Sequence, residues 1–393
     1  MAENKINKFE NMDAKIQALK PKQGKMFVEP LQQDVLPNHF NMLHGKAIDL
    51  LSGFFGKNFV TDSFTGVGIM KNRGICLKLE STDEIIVNGL RPSTLKLLVA
   101  AIGDFTARNH TGEGKKNREI NYNFAIPIEQ YALLCKCDIV RHEIDKTGKT
   151  KEQIKAERLK EEKRADRAYS KFKKKVLDDL KFLRLVSLNF SEKVEGREQE
   201  FDLAIISSKG KGIEARRKDG HINGYIVGTF DPNFAAYLLR LPQTTFLTSF
   251  FALDERKENL IGLAYKLQIH YFMYNNQIAD TSNTLKVSTL LKYLSYPTID
   301  KVRADNHSWE ERIKEPFERL FDSLKGDIIS DWSYGEENYT FTTYEEWING
   351  KIYFELANAP DNTAQIENFQ KKAAENKKKR EQRKKRGQKR KEA

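Results

Sequence analysis

The sequence predicts an α+β fold, mostly helical, in two similar halves followed by a disordered basic C-terminal tail. Three observations carry this. One helical pattern occurs twice, as Tyr169, Val176, Leu177, Asp178, Leu180, Lys181 and as Ile313, Leu320, Phe321, Asp322, Leu324, Lys325. Each copy runs straight into a short apolar segment, Leu185-Val186-Ser187-Leu188 or Ile328-Ile329. The charge is uneven. Of a net +12, residues 371–393 hold 13 Lys/Arg against 3 Asp/Glu and residues 141–184 hold 16 against 9, so the rest of the chain is net acidic. A short helix, then a longer helix that ends in a strand, is the pattern of a winged helix. Two tandem winged-helix domains are therefore expected, and that module mainly lays a helix in a DNA groove.

The elements follow in order. Residues 1–70 read as an N-terminal leader, in which Asp49-Leu50-Leu51-Ser52-Gly53-Phe54-Phe55 is too short to assign. The first winged-helix domain is expected over 71–206. Ile75-Cys76-Leu77-Lys78-Leu79 and Ile85-Ile86-Val87 read as strands. Pro92-Ser93 opens a helix with Leu95, Leu98, Ile102 and Phe105 at helical steps. Phe124-Ala125-Ile126 is strand-like, and Pro127 starts a short helix. Residues 138–163 are a highly charged insertion, either an exposed helix or a mobile segment. A third helix is expected from about 164 to 182, with Tyr169, Phe172, Val176 and Leu180 inward. The strand 185–190, a turn at Glu195-Gly196-Arg197 and the return strand 201–206 would form a two-stranded wing.

Residues 207–220 read as a linker rich in glycine and charge. The second winged-helix domain is expected over 221–357. It holds a strand at 225–230, a helix capped by Asp231 with Pro232 at its first position, an apolar helical segment at 246–253 and a buried helix at 259–275. Ser288 caps a short helix at 289–294, and Ser308 with Glu311 makes a capping box for the next, which Pro316 should kink. The segments 328–329, 339–341 and 351–354 supply a second wing, with Asn349-Gly350 as a hairpin turn or a helix C-cap. The tail, 358–393, is too polar to build a core.

Composition narrows the function. At 393 residues the chain can bury more than one core. No apolar run reaches the ~18–20 residues that a membrane span needs, and the N-terminus is polar, so a cytoplasmic protein is expected. Three cysteines without a Cys-x-x-Cys argue against a disulfide framework and a structural zinc. None of the seven histidines forms a close metal-binding pair, and no phosphate-binding loop is present. No catalytic residue, cofactor or metal is expected, so the chain is not read as an enzyme.

Concentrated positive charge points instead to a polyanion. On the third helix of the first half, Arg164 and Arg167 lie where a recognition helix meets base edges, while Lys171, Lys174 and Lys175 suit backbone phosphates. The linker adds Lys209, Lys211, Arg216 and Arg217. The second copy is net acidic, so its contacts would fall to Lys301, Arg303, Arg312 and Lys314. The partner expected is double-stranded DNA.

The chain from Ile75 to Leu356 resembles the tandem winged-helix replication initiators of plasmids and related mobile elements. The resemblance rests on Phe124-x-Ile126-x-Ile128-Glu129-Gln130-Tyr131-Ala132 and on Ala168-Tyr169 with the helix and strand after it. It also rests on Tyr225-Ile226-Val227 leading to Tyr237-Leu238-Leu239 and Ala264-Tyr265-Lys266-Leu267. It implies sequence-specific binding to repeated origin sites, opening of an adjacent A·T-rich segment and recruitment of the host replicative helicase, without covalent chemistry. It also implies homodimers that repress the initiator's own promoter. A winged-helix transcriptional regulator and a non-specific RNA- or DNA-binding structural protein are the alternatives.

Overall fold

The computed structural model describes residues 38–45, 48, 60–61, 68–72, 75–79, 91–109, 120–194, 197–207, 212–274, 283–335 and 341–358. The strand expected at 85–87, Lys209, Lys211, most of the leader and the tail from 359 onward lie outside the described residues. Helices and antiparallel sheets mix throughout, so the fold is α+β.

Strand β1 (His39–Leu43) is followed by β2 (Val60–Thr61), β3 (Gly68–Asn72) and β4 (Ile75–Leu79). Helix α1 (Pro92–Asn109) is buried along nearly its whole length. Asp104 on α1 is buried, pairs with Arg108 at 2.6 Å and accepts the Ala125 amide at 2.8 Å. That bond ties α1 to β5 (Asn123–Pro127), which leads into α2 (Ile128–Leu134) with Pro127 as its N-cap.

Helix α3 runs from Lys151 to Leu185, 35 residues and roughly 50 Å. The expected insertion and the expected third helix are thus largely one helix. Its start is set by a capping box in which the Thr150 side chain and Gln153 bond each other's backbone amides. Apolar spacing alone points to a start near 164, because the first turns carry no apolar stripe. Phe172, Val176 and Leu180 face inward as expected, and Tyr169 is half-buried.

The strands β6 (Val186–Val194) and β7 (Arg197–Ala204) form the expected hairpin, but not an isolated wing. They extend a five-stranded sheet in the order β2-β3-β4-β6-β7. The expected linker is also different. Most of its described part is β8 (Ile213–Lys218), paired with β9 (His221–Thr229). Asp219 and Gly220 join them with φ of 49° and 86°, the two-residue turn whose twist suits a hairpin. Strand β9 then pairs with β5, giving the order β5-β9-β8. The two halves therefore share a sheet.

Asp231 caps α4 (Pro232–Leu238) through the Asn233 amide, as expected. The segment expected to be helical at 246–253 begins as strand β10 (Gln243–Leu247) and ends in a 3-10 turn (Thr248–Ala252). Strand β10 pairs with β1 from the leader, a partner remote in sequence, which outweighs local preference. Helix α5 (Glu258–Tyr274) follows. Then come β11 (Thr284–Lys286), α6 (Val287–Leu291) and α7 (Ile299–Ala304). Lys286, not Ser288, is the N-cap of α6.

A π-helical turn (Glu310–Lys314) precedes α8 (Glu315–Asp322), so the disturbance expected at Pro316 takes the form of a widened turn just before it. The Ser308 hydroxyl accepts the Glu310 amide, and Trp309 takes the cap position, so no box with Glu311 forms. Strand β12 (Ile329–Ser333), helix α9 (Tyr344–Asn349) and strand β13 (Lys351–Leu356) complete the described chain. Gly350 is the C-cap of α9, which settles the Asn349-Gly350 alternative. The sheet order is β11-β13-β12.

The two three-stranded sheets are topological copies. In each, the strand that precedes the helices lies beside the last strand, and the penultimate strand is at the edge. Among the described residues, one large apolar core runs through both halves, beside a small cluster at Ala125 and Tyr225. Phe230, at the end of β9, has its ring 5.3 Å from Phe105 and 5.1 Å from Phe124. Gly228 is required beside it, because a Cβ there would stand 2.2 Å from the Phe124 ring. Among the described residues, no helix is long and apolar enough to cross a membrane.

Candidate nucleic-acid interface

Helix α3 carries 13 Lys/Arg against 7 Asp/Glu. Its core-facing side is fixed by Phe172, Val176, Leu180 and Leu183. Spacings of three and four residues then put Lys160, Lys163, Arg167, Lys171 and Lys174 together on the opposite side. All five are exposed, and among the described residues none has an ion-pair or hydrogen-bond partner. Beside this row lies an open groove of about 640 Å³. Lys160, Lys163, Arg164, Arg167, Lys171 and Lys175 line it, over Cys137, Ala168 and Phe172.

The expected base-reading pair is split by its surroundings. Arg167 is exposed and unpaired. Arg164 is committed inside the protein. Its guanidinium donates to the Asp138 carbonyl at 3.1 Å, the Val140 carbonyl at 2.6 Å and both Glu161 oxygens at 2.8 Å. It also pairs with the Asp138 carboxylate at 2.8 Å. The Arg164 bond is the main reason the Glu161 pKa falls to about 2. Arg164 is thus a clamp between α3 and the segment that follows α2, and its expected role at a base edge does not fit.

The same clamp takes in Arg141 and Arg217. Arg141 pairs with Glu162 at 2.9 Å and Asp166 at 3.1 Å, and its amide donates to the Gly220 carbonyl. Arg217 donates to the Gly220 carbonyl at 2.7 Å and the Ile139 carbonyl at 3.2 Å, and stands 3.4 Å from Asp166. Burial lowers its pKa. The β8–β9 hairpin is thereby pinned against α3 near Asp166, in the middle of the helix. Arg216, on the same strand, is half-buried and also engaged. Lys218 at the hairpin end is exposed.

Lys171 and Lys174 stand free as expected, but Lys175 is ion-paired with Glu255. Glu255 also lies 3.4 Å from Lys96 Nζ. Lys96 is 1% exposed and donates to the Phe251 and Leu253 carbonyls at 2.7 and 2.6 Å. Burial holds its pKa below the ordinary lysine value. Next to this cluster, Asp179 is buried and accepts from Ser93 Oγ at 3.0 Å and Thr94 Oγ1 at 2.7 Å. Burial raises its pKa to about 6.

The second half offers less. Lys301 is exposed and unpaired among the described residues. Arg303 pairs with Glu345 at 3.1 Å, Arg312 donates to His307, and Lys314 lies 4.0 Å from Glu310 and over the Trp309 ring. Arg319 is likewise paired, with Glu315 at 3.3 Å. The helix around 313–322 buries Ile313, Phe317 and Phe321, with Phe317 5.5 Å from the fully buried Trp347. Its sequence likeness to α3 is a likeness of packing.

A second cavity, about 610 Å³, lies across the segment after α2. His142 meets Asp138 at 2.8 Å and His221 meets Glu129 at 3.1 Å on its wall. Glu129 also accepts the Ile222 amide, so that carboxylate ties α2 to β9. Among the described residues, no group of three or more His, Cys, Asp or Glu side chains could hold a metal ion.

Lys160 and Lys163, within the charged stretch expected to be an insertion, join the same helix face, and the β8–β9 hairpin replaces the expected linker. The signal for the hairpin was present in Asp219-Gly220, a strong two-residue turn pair.

No family model and no curated protein sequence matches the chain. A crystal structure of RctB domains 2-3 is similar to it at a TM-score of 0.31 and 11% identity, covering 78% of this chain and 96% of that one. That likeness is too loose to carry a fold or a function.

Proposed function

We propose that the protein binds duplex DNA through the exposed basic side of α3. The observation that carries this is the row Lys160, Lys163, Arg167, Lys171 and Lys174: five exposed cations on one side of the helix, with no acidic partner among the described residues. A helix of ~10–12 Å diameter fits a major groove about 12 Å wide. The shared strand order of the two small sheets supports reading the halves as tandem winged-helix modules. On that reading the first wing is β8–β9 rather than β6–β7.

The residue-pattern resemblance supports the fuller function: a replication initiator of a plasmid or mobile element that binds origin repeats, opens DNA beside them and recruits a helicase. In the second half, Lys301 is exposed and, of the four basic residues expected to make contacts there, is the one with no side-chain partner among the described residues.

The test is a titration of duplex DNA at several salt concentrations. Five neutralised phosphates give a log–log slope of about −4.5. Arg167→Ala, Lys171→Ala and Lys174→Ala together should flatten it by roughly 2.7. A parent protein with no salt-dependent affinity, or a triple variant with the parent's slope, refutes the interface. A footprint on DNA flanking the gene separates the biological readings: direct repeats favour an initiator, and a single palindrome favours a transcriptional regulator.

A further inference from the structure

The groove on α3 contains one cation that is already taken. Lys175 lines the groove with Arg167 and Lys171, yet it is ion-paired with Glu255, which comes from the turn between the 3-10 turn and α5. Glu255 is held by two lysines that differ in what they can give up. The Lys96 side chain is 1% exposed and anchored by two carbonyls, so it cannot leave. The Lys175 side chain is 37% exposed at the groove wall and has room to turn outward. Burial works against the Lys175 ammonium, and Glu255 more than offsets this, so its pKa stands above the ordinary value.

We propose that Glu255 is a built-in competitor for DNA phosphate at the α3 groove, keeping Lys175 off phosphate in most of the DNA-bound protein. This rests on the DNA-binding reading. A phosphate oxygen and a carboxylate offer an ammonium the same charge-assisted bond, so the two compete for one site. When Lys175 turns to a phosphate, Glu255 keeps its bond to Lys96. The exchange therefore leaves the half-buried Glu255 carboxylate paired, which limits its cost. The arrangement lowers affinity for any duplex and adds no base contact, so it acts on general affinity and not on sequence preference.

The experiment uses the full chain and a duplex probe of random sequence, titrated at several salt concentrations. Glu255→Gln should bind about 3- to 10-fold more tightly, with a slope steeper by about 0.9, one further phosphate. In a Lys175→Gln background, Glu255→Gln should change neither quantity. If Glu255→Gln leaves slope and affinity unchanged, or tightens binding equally without Lys175, the proposal is overturned. A second comparison does not depend on Glu255 variants folding. With Glu255 present, Lys175→Gln should flatten the slope by less than half as much as Lys171→Gln. Equal losses overturn the proposal. A parent that binds no duplex overturns the DNA reading and this one with it, whereas a parent that binds while these variants fail to differ overturns this one alone.

Discussion

Arg164 and Arg167 are the same residue type, three positions apart on one helix, and replacing them should have opposite consequences. Arg164→Ala removes bonds to two backbone carbonyls and two carboxylates. A hydrogen bond to a charged group contributes about 1.5–3 kcal/mol when sheltered, but exposed ion pairs give only about 0–1. The Arg164 side chain is 37% exposed, which discounts the sum. A net loss of about 1–3 kcal/mol is expected, together with faster amide exchange at residues 138–142, whose backbone Arg164 and Glu161 hold. Arg167→Ala removes no bond inside the protein, so its stability should change by less than about 0.5 kcal/mol. Its effect belongs in the DNA titration, as a slope flatter by about 0.9. Denaturant melts of both variants, run beside duplex titrations, give four numbers. The reasoning fails if Arg167→Ala is the destabilised protein, or if Arg164→Ala melts like the parent while Arg167→Ala binds like it.

Other outcomes follow from the buried polar groups. The folded-state pKa of Asp179, about 6, stands above its ordinary value of 3.8, so folding favours its protonated form. That contribution is present in full below about pH 4 and is lost as pH rises through 6. Asp179→Asn keeps an oxygen for Ser93 and Thr94, so at pH 7 to 8 it should be more stable than the parent by up to about 3 kcal/mol, the gain closing toward pH 4; an equal or larger gain at pH 4 would contradict this. Asp104→Ala leaves the Arg108 guanidinium and the Ala125 amide without their shared partner and should cost about 3–5 kcal/mol in a denaturant melt, against near-parent stability for the exposed Lys173→Ala. Gly228→Ala drives a methyl into the buried Phe124 ring and should cost about 1–3 kcal/mol, with Phe124→Leu as the rescuing second change.

Local grammar was legible where a segment answers to its own neighbours. The apolar steps of α1, the Asp231-Pro232 cap of α4 and the β6–β7 hairpin all came from adjacent residues, and the structure carries each of them. So did the inward face of α3 at Phe172, Val176 and Leu180, which puts the cations on the other side. The start of α3 was readable too, in Thr150-x-x-Gln153, but a helix without an apolar stripe hides behind its charge.

What the sequence by itself determined is the α+β character and the concentration of positive charge on one helix, because these depend on periodicity and composition. The tertiary structure alone decided which strands pair and which cations are free. Strand β5 lies beside β9, and β1 beside β10, because hydrogen-bonding edges meet across long stretches of chain. Arg164 and Arg217 are spent on carbonyls at 138–140, and Lys175 on Glu255, while Arg167 and Lys171 are exposed with no partner among the described residues. A guanidinium takes whatever carbonyl or carboxylate the fold brings within about 3 Å, and spacing along one helix cannot show what stands opposite.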